Sequence, residues 1–224
     1  MVTRLHLIRH GATTLSAEDR FAGAVDVPLS DEGRAQASRL GDRLASTKLS
    51  AVYASPLSRA VDTARLVGAS HNLEPQLEAG LREIAHGHWE GLRRQEVEQK
   101  FATEYEAWET DPFTFAPPEG ETGLAVMARA LPVLRQIVLR HPDQNVAVVS
   151  HKATIRLLLC SVLGIDARGY RDRLDQAPAC LNIVDFKDPG RARLMLYNDT
   201  SHYEKEARRT AGQLSKWWDE SGSA

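Results

Sequence analysis

Leu5-His6-Leu7-Ile8 is a short apolar run that stops at Arg9-His10-Gly11. Two further runs repeat the arrangement. Ala51-Val52-Tyr53-Ala54 leads into Ser55-Pro56-Leu57-Ser58-Arg59, and Val146-Ala147-Val148-Val149 leads into Ser150-His151. Each has the length of a buried strand, and each is followed, after a polar loop, by a helical pattern. Ser30 precedes Asp31, Glu32, Ala35, Ala37, Leu40 and Leu44, with the acids in the first turn where the helix dipole favours them. Ser58 to Val67 turns Ala60, Val61, Ala64 and Val67 inward. Ala153 to Leu163 is apolar nearly all round and ends at Gly164. Alternating strand and helix predicts an α/β fold, a three-layer sandwich with a mostly parallel central sheet and helices on both faces.

Outward from this frame, Leu181–Phe186 and Arg193–Tyr197 flank Lys187-Asp188-Pro189-Gly190, a turn signal that predicts a hairpin at the sheet edge. A long helix is expected from about Thr122 to Arg140, with a kink at Pro132. The stretch between, about residues 92–121, is acidic and aromatic and ends in Pro117-Pro118-Glu119-Gly120. It is read as a small helical cap inserted over a site. The polar tail, about 204–224, carries Trp217-Trp218 and is expected to dock as a helix or fray. With 224 residues the chain is sized for one domain, 1–224. Its 28 basic and 30 acidic residues leave a formal charge of -2, which argues against a nucleic-acid or membrane partner. No apolar run reaches the ~20 residues of a membrane helix. The opening residues lead straight into a strand, so no export signal is read and a cytoplasmic location is expected. Cys160 and Cys180 are too few for a disulfide framework and are read as inert core thiols.

The chemistry gathers where the three strands end. Ligands of an open parallel α/β sheet bind beyond the carboxyl ends of its strands. Arg9, His10, Arg59 and His151 therefore face one crevice. Two guanidiniums supply bidentate donors for phosphate oxygens. Two imidazoles can divide the work of nucleophile and proton-bearing donor. His86 and His88 flank Gly87 without a third ligand nearby, so no metal site is expected.

Leu7-Ile8-Arg9-His10-Gly11-Ala12-Thr13 resembles the RHG signature of the histidine phosphatase superfamily, the phosphoglycerate mutase-like family. Five further segments resemble that family's motifs in order. They are Asp26–Gly33 before the first helix, Ser55–Ala60 with Thr63-Ala64, Leu81–Gly91, Val148–His151 and Asn198–His202. The resemblance spans about Leu5 to Tyr203. It implies that His10 is the nucleophile and becomes phosphohistidine. It implies that Arg9, Arg59 and His151 hold the phosphoryl oxygens, and that Glu83 protonates the leaving oxygen and then helps activate water. A neutral His10 and a protonated His151 are wanted, so the site is expected to set the two apart. No metal and no cofactor is expected, because the protein supplies the cations itself.

The chain departs from the family pattern in places. Ala12 and Ser16 stand where many members have Glu and Asn; a serine still donates to phosphate. Arg20-Phe21-Ala22-Gly23 keeps the Arg and Gly, and the Gly23 amide is a candidate anion contact. Lys152 stands where Gly is frequent. It either joins the phosphate or leaving-group pocket or points to solvent. His86 replaces a frequent aromatic. Glu121 is assigned to a helix start or the cap, and Asn198–His202 to architecture near the sheet end. The implied activity is metal-independent hydrolysis of a small-molecule phosphomonoester, of histidine acid phosphatase type, by a monomer or homodimer. A cofactor-dependent phosphoglycerate mutase is the alternative. It is disfavoured because residues 92–122 hold eight acids and three bases, a poor cover for a bisphosphate. A non-catalytic phospho-ligand binding module ranks third, since His10, His151 and Glu83 are all present.

Overall fold

The computed structural model describes residues 2–15 and 19–203. Six strands form one sheet: β1 (Thr3–Arg9), β2 (Leu49–Ala54), β3 (Gln76–Leu77), β4 (Asn145–Ser150), β5 (Leu181–Asp188) and β6 (Arg191–Asp199). Their order is β3-β2-β4-β1-β5-β6. The first four lie parallel, while β5 and β6 run antiparallel as the expected edge hairpin. The short β3 has no counterpart in the sequence reading. Two residues are too few to set a pattern, and its Leu77 is exposed.

The two-residue period of the strands divides the core. Leu5, Leu7, Ala51, Tyr53, Val146 and Val148 face one side. They pack on α5 (Gly123–Arg140) and α6 (Lys152–Leu163) through Leu134, Ile137, Ile155 and Leu158. Ile8, Val52, Ala54, Ala147 and Val149 face the other. They meet α1 (Asp31–Leu44) and α2 (Ser58–Gly68) through Leu40, Leu44, Ala60, Ala64 and Val67. Each fully buried aliphatic side chain contributes about 1.5–3 kcal/mol, so both layers hold the sheet firmly.

The helix starts follow their sequence signals. The Ser30 hydroxyl caps α1 by accepting from the Gly33 amide, and Thr122 caps α5 by accepting from Ala125. Helix α5 runs through Pro132 as one element. Between α2 and α5, the segment 92–121 holds two short helices, α3 (Arg94–Lys100) and α4 (Ala102–Thr110). Helix α6 starts at Lys152, one residue earlier than expected, directly after His151. Among the described residues no helix is long and apolar enough to cross a membrane. Cys160 and Cys180 are buried thiols, and burial pushes them up to about 11 and about 12, as fits inert core residues. Trp217-Trp218 and the rest of the tail lie outside the described residues.

Candidate active site

Register places the two histidines together. In the parallel β1–β4 pair, Ile8 faces Val149 and Arg9 faces Ser150. The next residue on each strand is a histidine, and the ring centroids of His10 and His151 lie 5.1 Å apart. Strand β2 ends on the far side of β4, with the Ser55 amide on the Val149 carbonyl, and α2 then delivers Arg59.

The loop after β1 is pinned against α1 and α2. A Cβ on Gly11 would collide with the Gly33 carbonyl, and one on Gly33 would collide with the Ala12 carbonyl. Both glycines are needed for this approach. The Ala12 carbonyl accepts from the Ser30 amide, and the Ala12 amide donates to the Gln36 side chain. Thr63 accepts from the Gly11 amide and donates to the Arg59 carbonyl, joining the His10 loop to the helix that carries Arg59.

His10 Nδ1 lies 2.7 Å from the Gly11 carbonyl. A carbonyl only accepts, so Nδ1 carries the proton and Nε2 presents a lone pair. Burial pushes His10 well below the usual histidine range, and the Arg9 and Arg59 guanidiniums push it further. It is a neutral imidazole with its Nε2 lone pair free of a hydrogen bond to the Gly11 carbonyl. His151 Nε2 is 2.7 Å from the Ser55 hydroxyl, while its Nδ1 is buried and makes no hydrogen bond among the described residues. His151 is also pushed well down, by burial first and then by His10, Arg59 and Arg9. Both histidines are therefore lowered in this site, where the expectation was that it sets the two apart.

Arg9 donates to the Gln176 carbonyl at 2.6 Å. Arg59, 2% exposed, donates to the carbonyls of Val25 and Gly23 at 2.7 and 2.8 Å. These bonds fix both guanidiniums against backbone. The 175–178 turn behind Arg9 is itself held from the C-terminal segment. Tyr197 donates to the Asp175 carbonyl, the Ala177 amide donates to the Asn198 side chain, and Tyr203 donates to the Pro178 carbonyl. Tyr197, Asn198 and Tyr203 thus hold the turn that fastens Arg9; of these, Asn198 lies in the segment Asn198–His202 expected to be architectural.

Glu83 meets the start of α6. Its Oε1 accepts from the Ile84 amide at 3.0 Å and from the Thr154 amide and hydroxyl at 3.2 Å, and its Oε2 accepts from the Ala153 amide at 3.2 Å. Arg129 donates to the carbonyls of Gly80, Arg82 and Glu83, and its other contacts go to Glu121. Glu121 is thereby a clamp on Arg129, whereas the helix start assigned to it from sequence is capped by Thr122.

A cavity of about 130 Å³ opens over these groups, lined by Arg9, His10, Arg59 and Glu83 and walled by Arg20, Phe21, Gly23, His86 and Lys152. Gly23 has φ +46°, and a Cβ there would strike the Glu90 carboxylate. Phe21 packs edge-on against His86 and Trp108 and leads into a cluster with Trp89 and Tyr105. His86, pushed to about 4 by burial, is an uncharged wall residue. Lys152 lines the cavity, and its ammonium lies 3.6 Å from an Asp175 carboxylate oxygen. Ser16 lies outside the described residues. Among the described residues, no group of three or more His, Cys, Asp or Glu side chains could hold a metal ion, and His88 pairs with Glu104 at 2.7 Å. Sequence reasoning assigned no role to Ser55, Thr63, Arg129, Thr154 or Gln176. Thr63 had a signal, lying one helical turn from Arg59. Gln176 acts through its backbone carbonyl, which no side-chain pattern reveals.

A family model described as the histidine phosphatase superfamily (branch 1) matches residues 5–200. Phosphoserine phosphatase 1 of Hydrogenobacter thermophilus is 33% identical over 165 residues, 74% of this chain and 78% of that protein. The adenosylcobalamin/alpha-ribazole phosphatase of Escherichia coli is 32% identical over 183 residues, 81% of this chain and 89% of that protein. Among solved structures, Bacillus stearothermophilus YhfR aligns with a TM-score of 0.84 at 32% identity, covering 90% of this chain and 100% of that one. A native mycobacterial glucosyl-3-phosphoglycerate phosphatase aligns with a TM-score of 0.80 at 28% identity, covering 88% and 99%. With a matching family model over nearly the whole described chain and relatives that are themselves phosphatases, this protein belongs to the histidine phosphatase superfamily, branch 1.

Proposed function

We propose that the chain is a metal-independent phosphomonoester hydrolase that works through a phosphohistidine on His10. The observation that carries this reading is the His10–Gly11 hydrogen bond, which leaves Nε2 with a free lone pair beside two buried guanidiniums. A phosphate monoester brings a dianion to Arg9 and Arg59, whose positive charges stabilise the equatorial oxygens as charge builds on them. The same dianion favours protonation of His151 at Nδ1, giving one more donor.

In the first step His10 Nε2 forms a bond to phosphorus in line with the departing oxygen. The phosphorus–oxygen bond breaks, and Glu83 gives a proton to the alcohol. Its Oε1 already receives three donors and its Oε2 only one, so the transferable proton belongs on Oε2. In the second step the Glu83 carboxylate takes a proton from water. The water oxygen bonds to phosphorus, the Nε2–phosphorus bond breaks, and inorganic phosphate leaves with His10 restored. The segment 92–121 backs the cavity wall, with Trp108 packed on Phe21 and His86. Its acidic character suits release to water over transfer to a second sugar acid.

The test is turnover of a phosphomonoester panel with and without exhaustive chelation, with phosphoglycerate mutase turnover followed in parallel. Phosphate release that survives EDTA is expected. Activity lost to EDTA and restored by Mg²⁺ or Zn²⁺, or mutase turnover above phosphate release, would contradict the reading.

A further inference from the structure

Lys152 begins α6, directly after His151, and its mostly buried side chain faces the cavity. Its ammonium lies 3.6 Å from an Asp175 carboxylate oxygen, and Arg156, one turn along the same helix, reaches that same oxygen at 3.3 Å. Arg9 is fastened to the adjacent residue, through the Gln176 carbonyl. Two cations thus share a single, half-exposed carboxylate, with Arg9 held at the neighbouring residue. A lysine at a helix start also opposes the helix dipole. Such a cluster is costly unless a further anion completes it.

The substrate phosphoryl group does not meet that need in full. In the proposed reaction it is engaged by Arg9, Arg59 and His151. Lys152 stands beyond Arg9, on the cavity wall. We propose that Lys152 is a specificity residue that binds a carboxylate of the substrate, selecting phosphomonoesters that carry a carboxylate near the phosphate. This rests on the phosphomonoesterase reading and narrows its substrate class. A carboxylate fits better than a second phosphoryl group. One ammonium meets one negative charge, and Arg156 is committed to Asp175.

The proposal has a pH signature. Burial, Arg156 and Arg9 bring Lys152 down to about 7, with Asp175 pulling the other way. The groups facing it are Arg156 from α6, Arg9 from β1 and Asp175 from the turn before β5, with Glu83 and His10 across the cavity. Deprotonation above about pH 7 removes the charge, so the preference for a carboxylate is present below pH 7 and fades above it. A pH effect on the chemical step common to both substrates acts on both members of a matched pair and cancels in their ratio.

The experiment compares 3-phosphoglycerate with glycerol 1-phosphate, which replaces the carboxylate by a hydroxymethyl group. At pH 6 the wild-type ratio of kcat/KM should favour 3-phosphoglycerate by about tenfold or more, the scale of one charge-assisted contact. Lys152→Gln should collapse the ratio toward one, Lys152→Arg should keep most of it, and raising the pH to 9 should lower it in the wild type alone. Turnover of p-nitrophenyl phosphate separately reports whether the enzyme is a phosphomonoesterase at all. Should it fail, calorimetric binding of the same pair to wild type and Lys152→Gln still decides the carboxylate contact. A wild-type ratio near one, or a ratio unchanged by Lys152→Gln, overturns the proposal. An equal loss on both substrates would place Lys152 on the phosphate instead, and overturns it too.

Discussion

The floor of the cavity and its wall are built in different ways. The floor consists of Arg9, His10 and Arg59, with fully buried His151 beside His10; it is set by strand register and held mainly by main-chain groups: the carbonyls of Gly11, Gln176, Gly23 and Val25. The wall consists of Phe21, Ala22, His86 and Lys152 and is held by side-chain packing on Trp89, Trp108 and Tyr105, and by ion pairs. Main-chain partners survive substitution of neighbouring side chains, whereas a packed or paired wall changes with each one. The floor is therefore suited to a fixed reaction and the wall to a choice of leaving group.

Glu83 joins the two and should show the largest contrast. An alkyl alkoxide leaves poorly without a proton and nitrophenolate leaves readily. Glu83→Gln should slow phosphorylation of the enzyme by about 10²–10⁴-fold with glycerol phosphate and far less with p-nitrophenyl phosphate. Dephosphorylation slows with both, so the pre-steady-state burst is the quantity to measure. An equal loss of burst rate would remove Glu83 from the acid role.

Arg59→Ala comes next. In the proposed mechanism it deletes a hydrogen-bond donor to phosphate, and it releases the carbonyls of Gly23 and Val25 together. A loss of about 10²–10³-fold in kcat/KM is expected on every phosphomonoester alike, with weaker vanadate binding. A loss confined to one leaving group would move Arg59 from floor to wall.

A substitution behind the wall should act most weakly on the chemistry. Arg171, 3% exposed, pairs with Glu109 at 2.9 Å and stacks over the Trp108 ring at 4.1 Å. Arg171→Leu should cost about 3 kcal/mol of stability by stranding Glu109, visible as a lower Tm. Turnover of p-nitrophenyl phosphate should stay within about tenfold, while ranking among alkyl phosphates shifts. A loss of burst rate as large as that of Arg59→Ala would erase the distinction.

The same division governs what the sequence makes legible. Strand runs, the Ser30 cap, the hairpin and the residues at the strand exits carry local signals, and each stands where its pattern points. Arg9, His10, Arg59 and His151 meet because those exits share one sheet end. The supports are not legible in the same way. Gln176 contributes a carbonyl, Arg129 spans 46 residues to reach the Glu83 carbonyl, and Ser55 meets His151 across 96. The protonation balance of the histidines also escaped, because burial outweighs residue type there. It depresses His151 as well as His10, and no local pattern encodes depth. Of the wall, the aromatic and acidic composition was visible, but the meeting of Lys152, Arg156 and Asp175 needs α6 and the turn before β5 side by side.

The central claim is the covalent step at His10. Its most direct test is rapid acid-free quenching of the enzyme with a phosphate-labelled substrate, followed by mass spectrometry and phosphorus NMR of the trapped protein. The account predicts one phosphoryl group per active chain, on Nε2 of His10, formed in the burst, labile to acid and missing from a folded His10→Ala variant that has lost nearly all turnover. Phosphate release at the wild-type rate with no label on His10, or from His10→Ala itself, would contradict it.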